Sequence, residues 1–149
     1  MTINFDMDGT IADLYAVENW LADLRAYKVR PYAEAKPLLP MRLLEYMLSF
    51  AKHCGHTINI ISWGSKESTP VYDADVALTK RMWLAEQLPN FTFDNIFVVP
   101  YGTPKASLAE GILFDDEERN RTEWEKVEGN KAFAPAEILK VLANLPYCA

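Results

Sequence analysis

The chain has 149 residues, half of them hydrophobic and about a quarter charged, with a formal net charge of −6. That length fits one domain burying about two thirds of its unfolded surface, and that composition fits an ordinary globular protein, not a disordered one. The acidic excess excludes general attraction to nucleic-acid backbones or anionic membranes, so a nucleic-acid partner would need a local basic patch.

In chain order, the first predicted element is the strand "TINF" over 2–5, which runs into "DMDGT". Residues 14–27 place Leu14, Val17, Leu21 and Leu24 on one helical stripe. After the linker "YKVRPYAEAKPL" a helix is expected over 40–53. Pro40 suits its first turn, Leu43, Leu44, Met47, Leu48 and Ala51 face inward, and Gly55 lies just past its end. The strand "TINIIS" follows at 57–62, then a helix at 73–88, the strand "NIFVV" at 95–99 and a short helix at 103–109. "GILF" at 111–114 and, more weakly, "KAFA" at 131–134 are strands, with helices at 117–127 and at 135–144, the last opened by Pro135. Nearly continuous apolar strands are buried on both faces, as in a parallel sheet. The alternation with helices predicts a Rossmann-like α/β three-layer sandwich in a single domain, 1–149.

About fifty residues separate the first two strands, more than a single-helix crossover needs. The surplus, residues 14–36, is expected to form a minimal cap over the acidic strand tip. No apolar run is long enough to cross a bilayer. Asp6 and Asp8 interrupt the N-terminal apolar stretch, so no cleavable leader is expected and a cytoplasmic location is. Cys54 and Cys148 have no metal-like or redox-like spacing and are read as reduced thiols. His53 and His56 flank a helix end, where a dipole interaction is the default.

Ligands of open parallel sheets bind beyond the carboxyl ends of the strands. There the first strand offers Asp6, Asp8, Gly9 and Thr10; the second Ser62, Trp63, Gly64 and Ser65; the third leads through "VPYGTPK" to Lys105; the fourth ends at Asp115 and Asp116. Two carboxylates two residues apart project to one side if the strand continues, and their repulsion calls for a cation. With Asp115 or Asp116 they make an all-oxygen cluster suited to Mg2+ and a substrate phosphate. Simpler roles compete: a solvated turn for Asp6 and Asp8, a helix N-terminus for the later pair, a turn cap for Ser62, a solvent face for Lys80. Tyr15, Trp20, Tyr27 and Tyr32 could stack on a base or sugar, though most are expected to pack.

In that order, "DMDGT", the hydroxyl in "IISWG", the lysine of "GTPK" and "LFDD" resemble the four motifs of the haloacid dehalogenase superfamily of aspartate-nucleophile phosphatases, over residues 3 to about 120. The resemblance implies magnesium-dependent transfer of a phosphoryl group to Asp6, with Asp8 as acid and then base. It implies that Gly9 lets the backbone approach phosphate, Thr10 supports the turn, Ser62 donates to a phosphate oxygen and Lys105 offsets negative charge. Magnesium would be held by Asp6, the Asp8 carbonyl and Asp116, with Asp115 binding it or lying just behind. "LTKRMWLAEQLPNF" and "TPKASLAEGILFDDEERN" are similar to the 5'(3')-deoxyribonucleotidase branch, implying a small nucleotide substrate, Lys80 as a second phosphate-side cation and Trp83 as its packing neighbour; Trp63, next to Ser62 at its strand end, is expected to contact the substrate or its phosphate. That branch usually carries a larger cap. "GSKESTPVYDADVALTKR" and "DDEERNRTEWEKV" also resemble the phosphatase half of polynucleotide kinase-phosphatases, implying a nucleic-acid 3' end as the alternative substrate. Receiver signalling domains use similar phospho-aspartate chemistry but accept phosphate on a later strand; an acid/base at Asp8 favours turnover.

Overall fold

Five of the apolar runs line up side by side in the computed structural model, which describes residues 1–146. The strands β1 (Thr2–Phe5), β4 (Thr57–Trp63), β5 (Asn95–Val99), β6 (Ile112–Phe114) and β7 (Lys131–Phe133) form one parallel sheet in the order β5-β4-β1-β6-β7. Two short strands, β2 (Ala12–Asp13) and β3 (Lys36–Pro37), pair antiparallel outside it. The α/β sandwich expected from the alternating pattern is the one observed.

Alternation along each strand assigns the two faces. Ile3, Phe5, Ile58, Ile60, Ile112 and Phe114 pack under α3 (Met41–His53), α6 (Ile138–Ala143) and the Trp83–Leu84 side of α4 (Pro70–Gln87). Ile61 and Leu113 pack on the other face against Trp124 of α5 (Glu118–Trp124). A row of amides crosses the sheet: Asn95 donates to Asn59 and Asn59 to Asn4, each at 3.0 Å, and Asn4 donates to the Ile112 carbonyl at 2.9 Å.

The helices differ from expectation in instructive ways. Leu44, Leu48 and Ala51 form a narrow buried stripe on α3, while Leu43, a hundred degrees away around the helix, is exposed and not inward-facing. Pro40 is the residue before α3, not part of its first turn, and Gly55 follows its end with φ +91°. α4 starts three residues earlier than predicted because Thr69 caps it, accepting from the Tyr72 amide, with Pro70 opening the first turn. The helix expected at 103–109 is only a 3-10 turn, Lys105–Ser107, and another 3-10 turn, Pro135–Glu137, precedes α6.

The predicted helix at 14–27 is not continuous. A 3-10 turn, Leu14–Ala16, is followed by Asn19 at φ 59°, then α1 (Trp20–Arg25), Tyr27 at φ 57° and α2 (Arg30–Glu34). Asparagine tolerates the left-handed region, and the break at Asn19 resets the stripe, leaving Leu21 exposed while Leu14, Leu24 and Tyr32 pack on Tyr72 and Val76 of α4. Trp83 adds a tie, its indole donating to the Ala35 carbonyl at 2.8 Å.

Cys54 is a free thiol; Cys148 lies outside the described residues. His53 ends α3, but His56 lies beyond the helix and bridges the amino group of Met1 (3.0 Å) and the Pro146 carbonyl (3.1 Å). No helix among the described residues is long and apolar enough to cross a membrane.

From β1 the chain builds outward to β4 and β5, then returns to β6 and β7 on the other side of β1. The crossovers therefore diverge between β1 and β6, and a crevice is expected beyond the carboxyl ends of these two strands. Asp6 follows one and Asp115–Asp116 the other.

Candidate active site

β1 ends at Phe5, and the Asp6 amide makes its last sheet contact, to the Phe114 carbonyl at 2.9 Å. The chain then turns around the Met7 carbonyl, which accepts from the amides of Thr10, Ile11 and Ala12. The strand does not persist to Asp8, so a turn and not strand alternation brings the two carboxylates to one cavity, where the Asp6 charge still acts on Asp8. Each takes its own lysine.

Asp6 accepts from Lys105 at 2.9 Å on one oxygen and from the Thr10 hydroxyl at 3.0 Å on the other. Lys105 also reaches Asp115 at 2.6 Å. Asp115 is wholly buried, and its oxygens further accept from the Glu117 amide (2.9 Å) and the Asn120 side chain. Asp116 donates its amide to the Thr10 hydroxyl at 3.2 Å, and its carboxylate rests on Gly9. A Cβ at position 9 would collide with that carboxylate and meet the Tyr15 ring at 2.9 Å, and φ there is +79°. Gly9 thus makes room for Asp116 and Tyr15 within the fold.

Ligand oxygens of Asp6, Asp115 and Asp116 lie within 4.8 Å of one another. Among the described residues Lys105 is the one cation paired with this group, to Asp6 and Asp115, and Asp116 has no cation partner. An oxygen-only set with surplus negative charge fits a hard divalent cation such as magnesium. Asp115, committed to Lys105, Asn120 and an amide, is placed to anchor the lysine; Asp6 and Asp116 keep more accessible oxygens.

The electrostatics agree. Burial raises the Asp115 and Asp116 carboxyls above the ordinary range, and the Asp6 charge raises both further. For Lys105 burial works to lower the value, but Asp6 and Asp115 outweigh it and keep the ammonium charged. Burial also raises Asp8, against the pull of Lys80.

Lys80 projects from the middle of α4 with 1% of its side chain exposed. Its ammonium donates to Asp8 (2.9 Å), the Ser62 hydroxyl (2.7 Å) and the Trp63 carbonyl (2.7 Å), and it lies 4.8 Å from the Tyr32 ring centre. The resemblance had Lys80 facing phosphate; here it sits behind Asp8. Ser62 is wholly buried, and its hydroxyl meets Lys80, not an open cavity. Trp63 supports the opposite side: its indole donates to the Thr103 carbonyl at 2.8 Å, and the Lys105 ammonium lies 5.3 Å from its ring.

A cavity of about 60 Å³ is bounded by Asp6, Asp8, Lys105 and Asp116, with Tyr15, Trp63, Tyr101, Glu117 and Asn120. Asp8, Tyr15, Tyr101 and Glu117 also line a larger pocket of about 290 Å³ with Trp20, Tyr32 and the end of α1. Asp8, its side chain 19% exposed, stands on the border between the two. Sequence reasoning singled out neither Asn120 nor Tyr101. Asn120 lies on the first turn of the helix after Asp115, a spacing that could have suggested the contact; nothing local marks Tyr101.

No family model and no curated protein matches the chain. Among solved structures, a D,D-heptose 1,7-bisphosphate phosphatase from Burkholderia thailandensis aligns with a TM-score of 0.56 at 13% identity, over 96% of this chain and 99% of that one. The D,D-heptose 1,7-bisphosphate phosphatase from B. bronchiseptica, complexed with magnesium and phosphate, aligns with a TM-score of 0.56 at 14% identity, over 95% and 97%. At such identities the likeness is one of fold: nearly the whole chain shares the α/β architecture of these phosphatases.

Proposed function

We propose that the protein is a magnesium-dependent phosphomonoesterase of the haloacid dehalogenase superfamily, acting through an aspartyl phosphate on Asp6, with a small nucleotide as substrate. The observation that carries this is the meeting of Asp6, Asp115, Asp116 and Lys105 at a phosphoryl-sized cavity that Asp8 borders. The fold shared with phosphatases, one of them complexed with magnesium and phosphate, supports it.

Magnesium, held by Asp6, Asp116 and the Asp8 carbonyl, would neutralise phosphoryl oxygens. The protein's own groups do the rest. Thr10 and Lys105 fix the Asp6 carboxylate, and a remaining lone pair attacks phosphorus, forming the Asp6 O–P bond as the ester O–P bond breaks. Asp8, at the border with the larger pocket, gives its proton to the departing alkoxide. It then takes a proton from the water that cleaves the aspartyl phosphate, so phosphate leaves and both aspartates are regenerated. Burial favours the protonated start of that cycle. Lys105, paired with Asp6, offsets the developing charge. Ser62 accepts from Lys80, which leaves its own proton to donate to a phosphate oxygen.

Residues 14–36 serve as a minimal cap, packed on α4 and walling the leaving-group side. The rings of Tyr15, Trp20, Tyr32 and Tyr101 around that side favour a nucleotide over a plain sugar phosphate. The half-open pocket also admits the 3' end of a polynucleotide. Cys54 as a free thiol suits the cytoplasm. The test is phosphate release from nucleoside monophosphates, sugar phosphates and a 3'-phosphorylated oligonucleotide, with and without magnesium. Asp6→Asn, nearly isosteric, should abolish turnover with the fold retained; persistence of turnover would exclude the covalent route.

A further inference from the structure

We infer that the larger pocket takes a leaving group bearing both a flat ring and a second phosphate anion, gripped by Arg25 and Lys66; this rests on the phosphomonoesterase assignment above. The transferred phosphoryl group belongs in the 60 Å³ cavity between Asp6 and Lys105, so the 290 Å³ pocket beyond Asp8 is left for the alcohol portion of the ester. That volume is near the lower end of small-molecule sites and suits a single nucleoside-sized group.

Two kinds of side chain line it. Tyr15 and Trp20 meet edge to face, their ring centres 5.0 Å apart, with Tyr32 and Tyr101 completing aromatic walls on which a base can stack. Arg25, from the last turn of α1, and Lys66, from the loop after β4, supply positive charge. Neither has a carboxylate partner among the described residues; the recorded partner of the Lys66 ammonium is the Tyr101 ring, 6.0 Å to its centre.

The contrast with neighbouring cations is informative. Arg30, five residues beyond Arg25, is fixed by Asp23 and Glu34 at 2.7 Å each, and Lys28 also lies near Asp23. Arg25 and Lys66, neither matched to a carboxylate, both line the pocket beside the reacting centre, whereas Lys36, also unmatched, lies away from it. Glu67 and Glu117 line it too, so the pocket is no general anion sink. Recognition must come from where the second anion sits, which a monophosphate, its one phosphate held at Asp6, cannot supply.

The chemistry is therefore a phosphomonoester whose alcohol carries a base and another phosphoryl anion. A free nucleoside 3',5'-bisphosphate has it, and so does a 3'-phosphorylated strand end, where the last phosphodiester is the second anion. The experiment measures kcat/KM with magnesium for p-nitrophenyl phosphate, a nucleoside 3'-monophosphate, the matching 3',5'-bisphosphate and a 3'-phosphorylated dinucleotide. Wild type and Arg25→Ala, Lys66→Ala and double variants are compared, each checked for folding by thermal melting.

For wild type, at least one second-anion substrate should exceed the monophosphate by about tenfold, the size expected from two partly solvated ion pairs. In the double variant that ratio should fall towards one, chiefly through KM. Preference for the bisphosphate alone identifies a free nucleotide, and preference for the dinucleotide alone a strand end. If wild type fails to hydrolyse p-nitrophenyl phosphate and every nucleotide, the phosphatase assignment itself falls. If it hydrolyses them without such a preference, or the preference survives in the double variant, only the second-anion pocket is overturned.

Discussion

Replacing Lys80 by methionine separates the two roles that its position allows. The ammonium is 1% exposed and donates to Asp8, Ser62 and the Trp63 carbonyl, so removing it strands one partly buried carboxylate, one hydroxyl and one carbonyl. Breaking a fully buried ion pair costs about 3–5 kcal/mol. Asp8 is 19% exposed and can take up water or a proton, so a loss of about 2–3 kcal/mol is expected. For a chain of this length that lowers Tm by roughly 4–12 °C. A phosphate-side lysine would give another pattern: weaker substrate binding with little loss of stability. With Lys80 behind Asp8, the unmatched carboxyl holds its proton more tightly, so loss of ester is spared while breakdown of the aspartyl phosphate slows. Thermal melting together with acid-quench trapping of labelled phosphoenzyme distinguishes the two. A variant that melts with wild type, accumulates no phosphoenzyme and loses only KM would refute the placement of Lys80 behind the acid/base.

Magnesium should raise Tm, and more at pH 8 than at pH 5.5, as read by calorimetry. Asp115 and Asp116 have carboxyls raised by burial and by Asp6, so the folded protein binds more protons than the unfolded chain above about pH 4. Without metal, their contribution to stability therefore declines as pH rises towards neutrality; the metal competes for the same oxygens and reverses the trend, and an equal shift at both pH values would count against metal binding there. Gly9→Ala should cost about 1–3 kcal/mol and most of the activity, because a Cβ at φ +79° meets the Asp116 carboxylate and the Tyr15 ring; urea titration checks the first and phosphate release the second. Asp115→Asn should release Lys105 from one of its two carboxylate partners and reduce kcat far more than KM in steady-state kinetics.

The sheet was legible because its strands carry runs of apolar, β-branched residues: Ile58–Ser62 of "TINIIS" is buried throughout, and the edge strand "NIFVV", though only half-buried, keeps four apolar residues in a row. The acidic tips were legible because "DMDGT" and "LFDD" follow such runs directly. The local geometry at Asp6–Asp8 was not: it depends on the turn around the Met7 carbonyl and on Gly9, where a Cβ would strike the Asp116 side chain, over a hundred residues away. The partners of Lys80 and Ser62 were hidden for the same reason, since helical periodicity says which face a lysine takes but not what waits across it. The helix expected over 14–27 misled because the left-handed Asn19 breaks a stripe that looks continuous in sequence.

The proposed mechanism asks two aspartates two residues apart for opposite states, one ionised to attack and one protonated to donate, and only their surroundings can make the difference. Here the surroundings come from different faces of the sheet. Lys105 arrives from the 3-10 turn after β5 and ties Asp6 to Asp115, whereas Lys80 arrives from α4 and ties Asp8 to Ser62 and Trp63. The same α4 carries Tyr72 and Val76, on which the 14–36 segment rests, and Tyr32 of that segment lies over the Lys80 ammonium. A substrate that shifts the segment disturbs both aspartates: Tyr32 covers the lysine that holds Asp8, and Tyr15 lies against Gly9, on which the Asp116 carboxylate beside Asp6 rests. In the proposed mechanism, leaving-group recognition therefore reaches the proton donor and the nucleophile alike.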